Sequence, residues 1–188
     1  MRIIYLILIG IIYSCSSFDD FQNGDIIFQV STSSQSKALQ LATKSKYSHV
    51  GIIYKQGDKY FVYEAVQPVK LTPLDAWIKR GENSHYVVKR LKNHKSILTD
   101  SVLKRMREIG EIYRGKNYDI YFEWSDDRIY CSELVWKIYE QAAGIEIGSL
   151  TKLKNFDLSH PVVKEKMKER YGDNPPLDED VIAPASIF

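Results

Sequence analysis

A β-hairpin is the feature that most constrains the fold of this 188-residue chain. Residues 49–66, HVGIIYKQGDKYFVYEAV, hold two runs rich in β-branched and aromatic residues around KQGD, a short turn sequence that contains glycine. If the turn consists of Gln56 and Gly57, His49 lies directly opposite Glu64 across the hairpin. A three-residue turn would instead place these two side chains on opposite faces of the sheet.

The segments around the hairpin predict a mixed fold. Their apolar periodicity, helix caps and turn residues predict the order β-α-β-β-α-β-α-α. The predicted strands outside the hairpin cover residues 24–30 and 85–91, and the predicted helices cover 33–45, 72–81 (with Thr72 as N-cap), 99–115 and the segment after Cys131. We therefore expect one α+β domain over residues 21–188, with a small, largely antiparallel sheet packed against helices.

Charge gives little indication of a polyanionic partner. The chain has 26 Lys and Arg residues against 24 Asp and Glu residues, and they are spread along its length. The densest basic run, residues 162–172, alternates Glu with Lys and Arg at helical spacing, which is typical of a solvated helix face. We therefore predict no nucleic-acid partner.

The N-terminus has the pattern of an export signal. One Arg is followed by about a dozen apolar residues and then by small residues around Cys15. The ending IIYSC resembles a bacterial lipobox with Ser14 at position minus one. We predict a lipoprotein signal peptide over residues 1–15, a lipid on Cys15, a short linker over residues 16–20 and a membrane-anchored protein of the bacterial cell envelope. A plain secretory signal or an uncleaved anchor remains the alternative.

The second cysteine then requires an explanation of its own. If Cys15 carries lipid, Cys131 is a free thiol in an oxidising compartment, where an unpaired cysteine is either buried or used. Cys131 lies one turn before an apolar stripe, so we place it at a helix N-terminus, where free N–H groups and the helix dipole stabilise a thiolate. Cys131 is therefore a candidate nucleophile.

A thiolate nucleophile needs a base, and His49 is the best-placed histidine. It begins an apolar strand, whereas we interpret the other three histidines as ordinary surface residues. Glu64 opposite would fix the imidazole tautomer and stabilise its cation, as the third member of a nucleophile-base-acid triad does. The competing interpretation is a cross-strand ion pair without a catalytic role. We find no CxxC, HxxxH or HExxH spacing, and so predict no metal site.

Three blocks of the sequence, in order, resemble the permuted papain-like cysteine hydrolases of the YiiX/YaeF type, relatives of the NlpC cell-wall peptidases. The blocks are NGDIIFQVSTSSQSKALQLATKSKYSHVGII, YEAV and YFEWSDDRIYCSELVWK. As in the permuted members, His49 comes before Cys131. The resemblance implies a circularly permuted papain-like core, with Cys131 as nucleophile, His49 as general base and Glu64 as the polar third member. Tyr47 and Tyr130, which flank the triad, are candidate substrate-binding residues.

Three functions remain open at this point. The first is an envelope-anchored cysteine amidase or peptidase that needs no cofactor and acts on peptidoglycan stem peptides or related amides. The second is a lipid-directed acyl hydrolase or acyltransferase, which a wide apolar pocket beside Cys131 would favour over a narrow polar cleft. The third is a non-catalytic envelope-binding module. The predicted partners are accordingly a peptide, peptidoglycan or lipid-linked amide or ester, and a membrane reached through the lipid.

Overall fold

The computed structural model describes residues 21–188. The predicted signal peptide, Cys15 and the linker lie outside these residues. The strands are β1 (Ile26–Gln29), β2 (His49–Gln56), β3 (Lys59–Glu64), β4 (Lys70–Pro73), β5 (Tyr86–Lys89), β6 (Asn117–Tyr118), β7 (Arg128–Ile129), β8 (Thr151–Lys152) and β9 (Asp180–Val181). The α-helices are α1 (Ser36–Thr43), α2 (Leu74–Arg80), α3 (His94–Ile97), α4 (Asp100–Tyr113), α5 (Cys131–Ala143), α6 (Pro161–Tyr171) and α7 (Pro184–Ile187).

A five-stranded antiparallel sheet forms the centre of the fold, with the strand order β4-β3-β2-β1-β5. Its two faces are covered by different helices, because successive side chains of a strand point in opposite directions. Helices α4 and α5 pack on one face, over Phe28, Val50 and Ile52, and α2 packs on the other face through Trp77. The α+β class predicted from the sequence is confirmed.

The predicted hairpin forms, but its register differs from the prediction. Gln56 pairs with Lys59, so the turn residues are Gly57 and Asp58 rather than Gln56 and Gly57. Gly57 has a φ of +58°, a conformation that glycine adopts without strain. The pairing is displaced by two residues, so the predicted direct pairing of His49 with Glu64 is wrong. An even displacement preserves the face on which each side chain lies, and the two residues remain diagonal neighbours on one face.

The local prediction around Thr72 is also wrong. Thr72 does not cap a helix but lies in strand β4, and helix α2 begins two residues later, at Leu74. Helix α4 begins as predicted, because the Thr99 hydroxyl accepts a hydrogen bond from the Val102 N–H at 3.4 Å. Strand β4 brings Thr72 beside the carboxylate of Glu64, which gives its hydroxyl a buried acceptor.

The C-terminal segment is fastened to the start of α5. Ser132 donates a hydrogen bond through Oγ to the Ile182 carbonyl at 2.7 Å, and the Ile182 N–H donates to the Tyr130 hydroxyl at 3.1 Å. Because both bonds are buried, residues 181–184 form a fixed wall beside Cys131. Among residues 21–188, no helix has the length and apolar character needed to span a membrane.

Candidate active site

Cys131 is the first residue of α5, where the sequence placed it, and it is 3% exposed. The backbone N–H groups of Ser132 and Val50 lie near its side chain and lower the pKa of the thiol. The first belongs to the N-terminal turn of the helix, whose N–H groups have no intrahelical acceptor. The start of α5 thus supplies a donor and a positive dipole end to the sulfur, as a thiolate requires.

His49 lies between Cys131 and Glu64. Its Nε2 atom is 2.6 Å from Oε2 of Glu64, and the imidazole also interacts with the Cys131 side chain. The ring is 7% exposed and stacks on Trp77, with the ring centroids 5.9 Å apart. The structure therefore brings together all three residues that the sequence proposed as a triad.

Glu64 is fully buried and accepts hydrogen bonds from four side chains. Besides His49, Thr72 donates to Oε1 at 2.6 Å, and Trp77 Nε1 and Arg80 donate to Oε2 at 2.8 and 2.5 Å. Sequence reasoning missed these last three donors. The only local signal was the spacing of Trp77 and Arg80, which puts them on one face of a helix. Their hydrogen bonds to Glu64 depend on the pairing of β3 with β4, which local spacing does not predict.

The electrostatics of the three residues favour a thiolate-imidazolium pair. Burial alone would lower the pKa of His49, but its bonds to Cys131 and Glu64 outweigh burial and raise it from 6.5 to about 9. Burial alone would raise the pKa of Cys131, but the hydrogen bond and charge of His49 lower it. Burial opposes ionisation of Glu64 as well, yet its bond to His49 and its other donors lower its pKa to about 2.

Tyr118 is a fourth polar residue at the thiol, and it was missed from the sequence. Its hydroxyl accepts a hydrogen bond from Gln35 Nε2 at 2.9 Å and lies next to the Cys131 side chain. Burial is the main reason why the pKa of Tyr118 is raised, so the phenol remains a donor at neutral pH. Strand β6 pairs with β7, and this pairing places Tyr118 opposite Ile129, two residues before Cys131. No local sequence motif identifies it.

The two predicted flanking tyrosines have different positions. Tyr130 is the N-cap residue of α5 and lines a cavity beside Cys131. Tyr47 is buried in the aromatic core, where it packs on Phe28 and Phe188 with ring-centroid distances of 6.0 and 4.5 Å. Tyr47 lines neither cavity next to the triad. Its position gives it a packing role, and its predicted substrate contact has no support in the geometry.

Two cavities meet at the triad. Cys131 lines an apolar cavity between α1, α6 and the C-terminal wall, and His49 lines a cleft that is more polar and more open. The apolar walls come from Ala38, Leu39, Ala42, Leu153, Phe156, Leu158, Val163, Met167, Val181, Ile182, Ala183 and Pro184. Four residues line both spaces, namely Gln35, Tyr118, Lys166 and Arg170. Cys131 and His49 therefore lie where an apolar cavity meets a more polar cleft.

The class of protein follows from this geometry. A cysteine at a helix N-terminus, facing a histidine on an antiparallel sheet that a buried carboxylate holds, is the arrangement of a papain-like thiol hydrolase. In the chain, the histidine strand precedes the cysteine helix. A family model described as the permuted papain-like amidase enzymes YaeF/YiiX, family C92, matches residues 20–187, and the chain belongs to this family. The predicted family and permuted fold are confirmed.

Two relatives illustrate the similarity. The chain is 48% identical over 184 residues to the uncharacterized protein YiiX of Escherichia coli strain K12, covering 97% of this chain and 90% of that protein. It also resembles a crystal structure from Escherichia coli O157:H7, described as the metalloprotein yiiX, with a TM-score of 0.84 and 52% identity, covering 89% of this chain and 91% of that one.

The description of that relative as a metalloprotein prompts a test of the donors in this chain. Within residues 21–188, no three His, Cys, Asp or Glu side chains are grouped so that they could hold a metal ion. At the site itself, Nε2 of His49 and the carboxylate of Glu64 are already hydrogen-bonded to each other. The described residues therefore do not fit a metal centre, and we derive no metal-dependent step.

Proposed function

We propose that this protein is a cysteine amidase that cleaves an amide through a thioester on Cys131. The observation that carries the proposal is the buried Cys131–His49–Glu64 chain, with the pKa of the thiol lowered and that of the imidazole raised. Such a pair supplies a nucleophile and a proton donor in the same ionisation state. Membership in a family of amidases supports the same chemistry.

Each residue has a distinct part in the proposed reaction. The Cys131 thiolate attacks the carbonyl carbon, and the oxyanion that forms is stabilised by N–H groups at the start of α5 and by the Tyr118 hydroxyl. His49 gives its proton to the leaving amine, and the C–N bond breaks. His49 then takes a proton from water, which attacks the thioester and releases the acid. Glu64 holds the imidazole in position and compensates its charge throughout.

The apolar cavity favours a lipid-directed version of this activity. Because the acyl group remains bonded to Cys131, it occupies the cavity that Cys131 lines, and the walls of that cavity are almost entirely apolar. Because His49 protonates the leaving group, the leaving group occupies the polar cleft. A cavity of this character suits an aliphatic acyl chain better than a stem peptide, whose backbone amides would lack partners there. The stem-peptide substrate remains the competing prediction.

Intact-mass trapping tests the chemistry directly. The purified protein is incubated with p-nitrophenyl butanoate and p-nitrophenyl dodecanoate, and the acyl adduct is located by peptide mapping. We expect an adduct on Cys131 in the wild type, none in Cys131→Ala, and a much slower one in His49→Ala. His85→Ala is the matched control, because His85 is exposed. Unchanged acylation in His49→Ala, or labelling elsewhere, would refute the triad.

A cavity variant distinguishes the two substrates. Ala42 lines the apolar cavity from α1, and Ala42→Phe would fill part of that space. We expect the variant to lose turnover of an N-dodecanoyl amide while still turning over an N-butanoyl amide. Hydrolysis of a stem peptide by the wild type, with no hydrolysis of either N-acyl amide, would favour the cell-wall substrate instead.

We also propose that the protein is exported and anchored in the bacterial cell envelope by a lipid on Cys15. The support is the pattern of residues 1–15, which ends in IIYSC. Mass spectrometry of the protein from membranes should show a diacylglycerol-modified Cys15 as the first residue. An intact Met1, or cleavage after Cys15, would contradict this proposal without affecting the chemistry at Cys131.

A further inference from the structure

A half-buried arginine without an anionic partner lies at the boundary between the two cavities. Arg170 donates a hydrogen bond to Gln35 Oε1 at 2.8 Å and stacks over the Phe122 ring at 4.6 Å, and the Tyr171 phenol lies near it. All of these partners are neutral. No carboxylate within residues 21–188 forms an ion pair with Arg170.

The other cations of the cleft are already compensated. Arg80 is paired with Glu64 at 2.5 Å, and Lys166 is paired with Glu169 at 2.5 Å. Arg170 is thus the cation left over in this part of the cleft. A guanidinium has five N–H donors in a planar fork, and partial burial makes the lack of an anion costly. The ring below and the amide beside it hold the group in place before any ligand arrives.

A second feature of the cleft also suits an anion. Helix α1 begins at the cleft with Gln35 as its N-cap, and it has neither a side-chain cap nor an acidic residue in its first turn. The N–H groups at such a helix end favour negative charge. Gln35 connects this helix end both to Arg170 and, through Tyr118, to Cys131. Only two side chains, Gln35 and Tyr118, separate the guanidinium from the nucleophile.

From this juxtaposition we infer that Arg170 is a specificity residue that binds an anionic group, a carboxylate or a phosphate, on the leaving half of the substrate. The inference rests on the proposed function, because that chemistry places the leaving group in the cleft on the His49 side. The substrate class is then an N-acyl amphiphile: the aliphatic acyl chain fills the apolar cavity, and the amine half carries a negative charge a few bonds from the cleaved amide.

Binding without turnover tests the inference. In Cys131→Ala, calorimetry compares N-dodecanoylglycine with its neutral amide, N-dodecanoylglycinamide, and N-dodecanoylethanolamine phosphate with N-dodecanoylethanolamine. We expect at least one anionic ligand to bind about tenfold more tightly than its neutral partner, since a hydrogen bond to a charged group is worth about that factor. The preferred pair distinguishes an amino-acid carboxylate from a phosphate head group.

The variants separate recognition from structure. When Arg170→Gln is added to Cys131→Ala, the anionic and neutral ligands should bind with nearly equal affinity, and the affinity for the neutral ligands should not change. Arg170→Lys should retain part of the preference for the anionic ligand. Lys168→Gln is the control, since Lys168 is an exposed cation of the same helix. Equal binding of charged and neutral ligands, no binding of any of them, or an equal loss for both in Arg170→Gln would overturn the inference. Acylation of wild-type Cys131 by p-nitrophenyl esters reports separately on the proposed function.

Discussion

Replacing Glu64 by Gln removes the charge at the centre of the hydrogen-bonded cluster and keeps the shape of the side chain. The pKa of Glu64 falls from 4.5 to about 2 in the folded protein. A difference of about 2.5 pKa units, at about 1.36 kcal/mol each, corresponds to about 3 kcal/mol of stability at neutral pH. The side chain is fully buried, so solvent screening does not reduce this value. We expect Glu64→Gln to lower the free energy of unfolding by about 3 kcal/mol at pH 7.

The pH dependence follows from the sign of the pKa change. A carboxyl whose pKa is lowered on folding contributes its stability above the unfolded pKa, 4.5, and loses it as the pH falls toward about 2. The difference in free energy of unfolding between wild type and Glu64→Gln should therefore be largest at pH 7 and clearly smaller at pH 3. Urea unfolding at pH 7, 4 and 3 measures this difference. The same variant should lose about 10²- to 10⁴-fold in kcat/KM, because His49 loses its orienting partner.

Two controls complete this experiment. Glu108→Gln makes the same chemical change at an exposed position on α4 and should leave stability nearly unchanged. Thr72→Val removes one neutral donor from Glu64 and should cost about 1 kcal/mol at both pH 7 and pH 4. A stability loss in Glu64→Gln that is below about 1 kcal/mol, or that stays constant from pH 7 to pH 3, would refute the argument.

Three further predictions concern the thiol and the residues around it. Wild-type Cys131 should react with iodoacetamide at pH values well below the ordinary thiol pKa. In His49→Ala, the inflection in a plot of rate against pH should move to higher pH, because burial then raises the thiol pKa without an imidazolium to oppose it. Identical rate profiles for the wild type and His49→Ala would exclude the ion pair. Amide turnover should decline as the pH rises through about 9, where His49 loses its proton. Tyr118→Phe should lower kcat about tenfold or more with KM within about twofold, because one donor to the sulfur and oxyanion is lost; an unchanged kcat would remove Tyr118 from the mechanism.

The proximity of His49 and Glu64 could be predicted from sequence even though the hairpin register was wrong. The argument needed only that His49 and Glu64 share a face, and any even displacement preserves that condition. The turn itself depended on which residue takes a positive φ. Gly57 does so, and the observed pairing of Gln56 with Lys59 makes it the first turn residue rather than the second. Because glycine is favoured at the first position of a type II′ turn and at the second position of a type I′ turn, its presence alone does not determine the register.

The environment of Glu64 could not be predicted in the same way. Thr72 is followed by proline, a common start for a helix, and this local pattern favoured an N-cap. The pairing of β4 with β3 overrides that preference, because it offers the hydroxyl a buried carboxylate at 2.6 Å. Trp77 and Arg80 likewise reach Glu64 only after α2 has packed on the sheet. These contacts are long-range, and residue patterns within one segment do not encode them.

Helix α6 shows how a local pattern can conceal a site. Its alternating charges predicted a solvated face, and most of the helix is exposed. Yet Val163, Lys166, Met167 and Arg170 recur at the three- and four-residue spacing of a single helical face, and all four line the cavity beside Cys131. Long basic side chains can cover apolar surface with their methylene groups while their charged ends reach a polar boundary. A basic residue within such a stripe is therefore compatible with an inward-facing position. Among residues 21–188, Arg170 has no ion-pair partner, which is why we infer that it binds an anion.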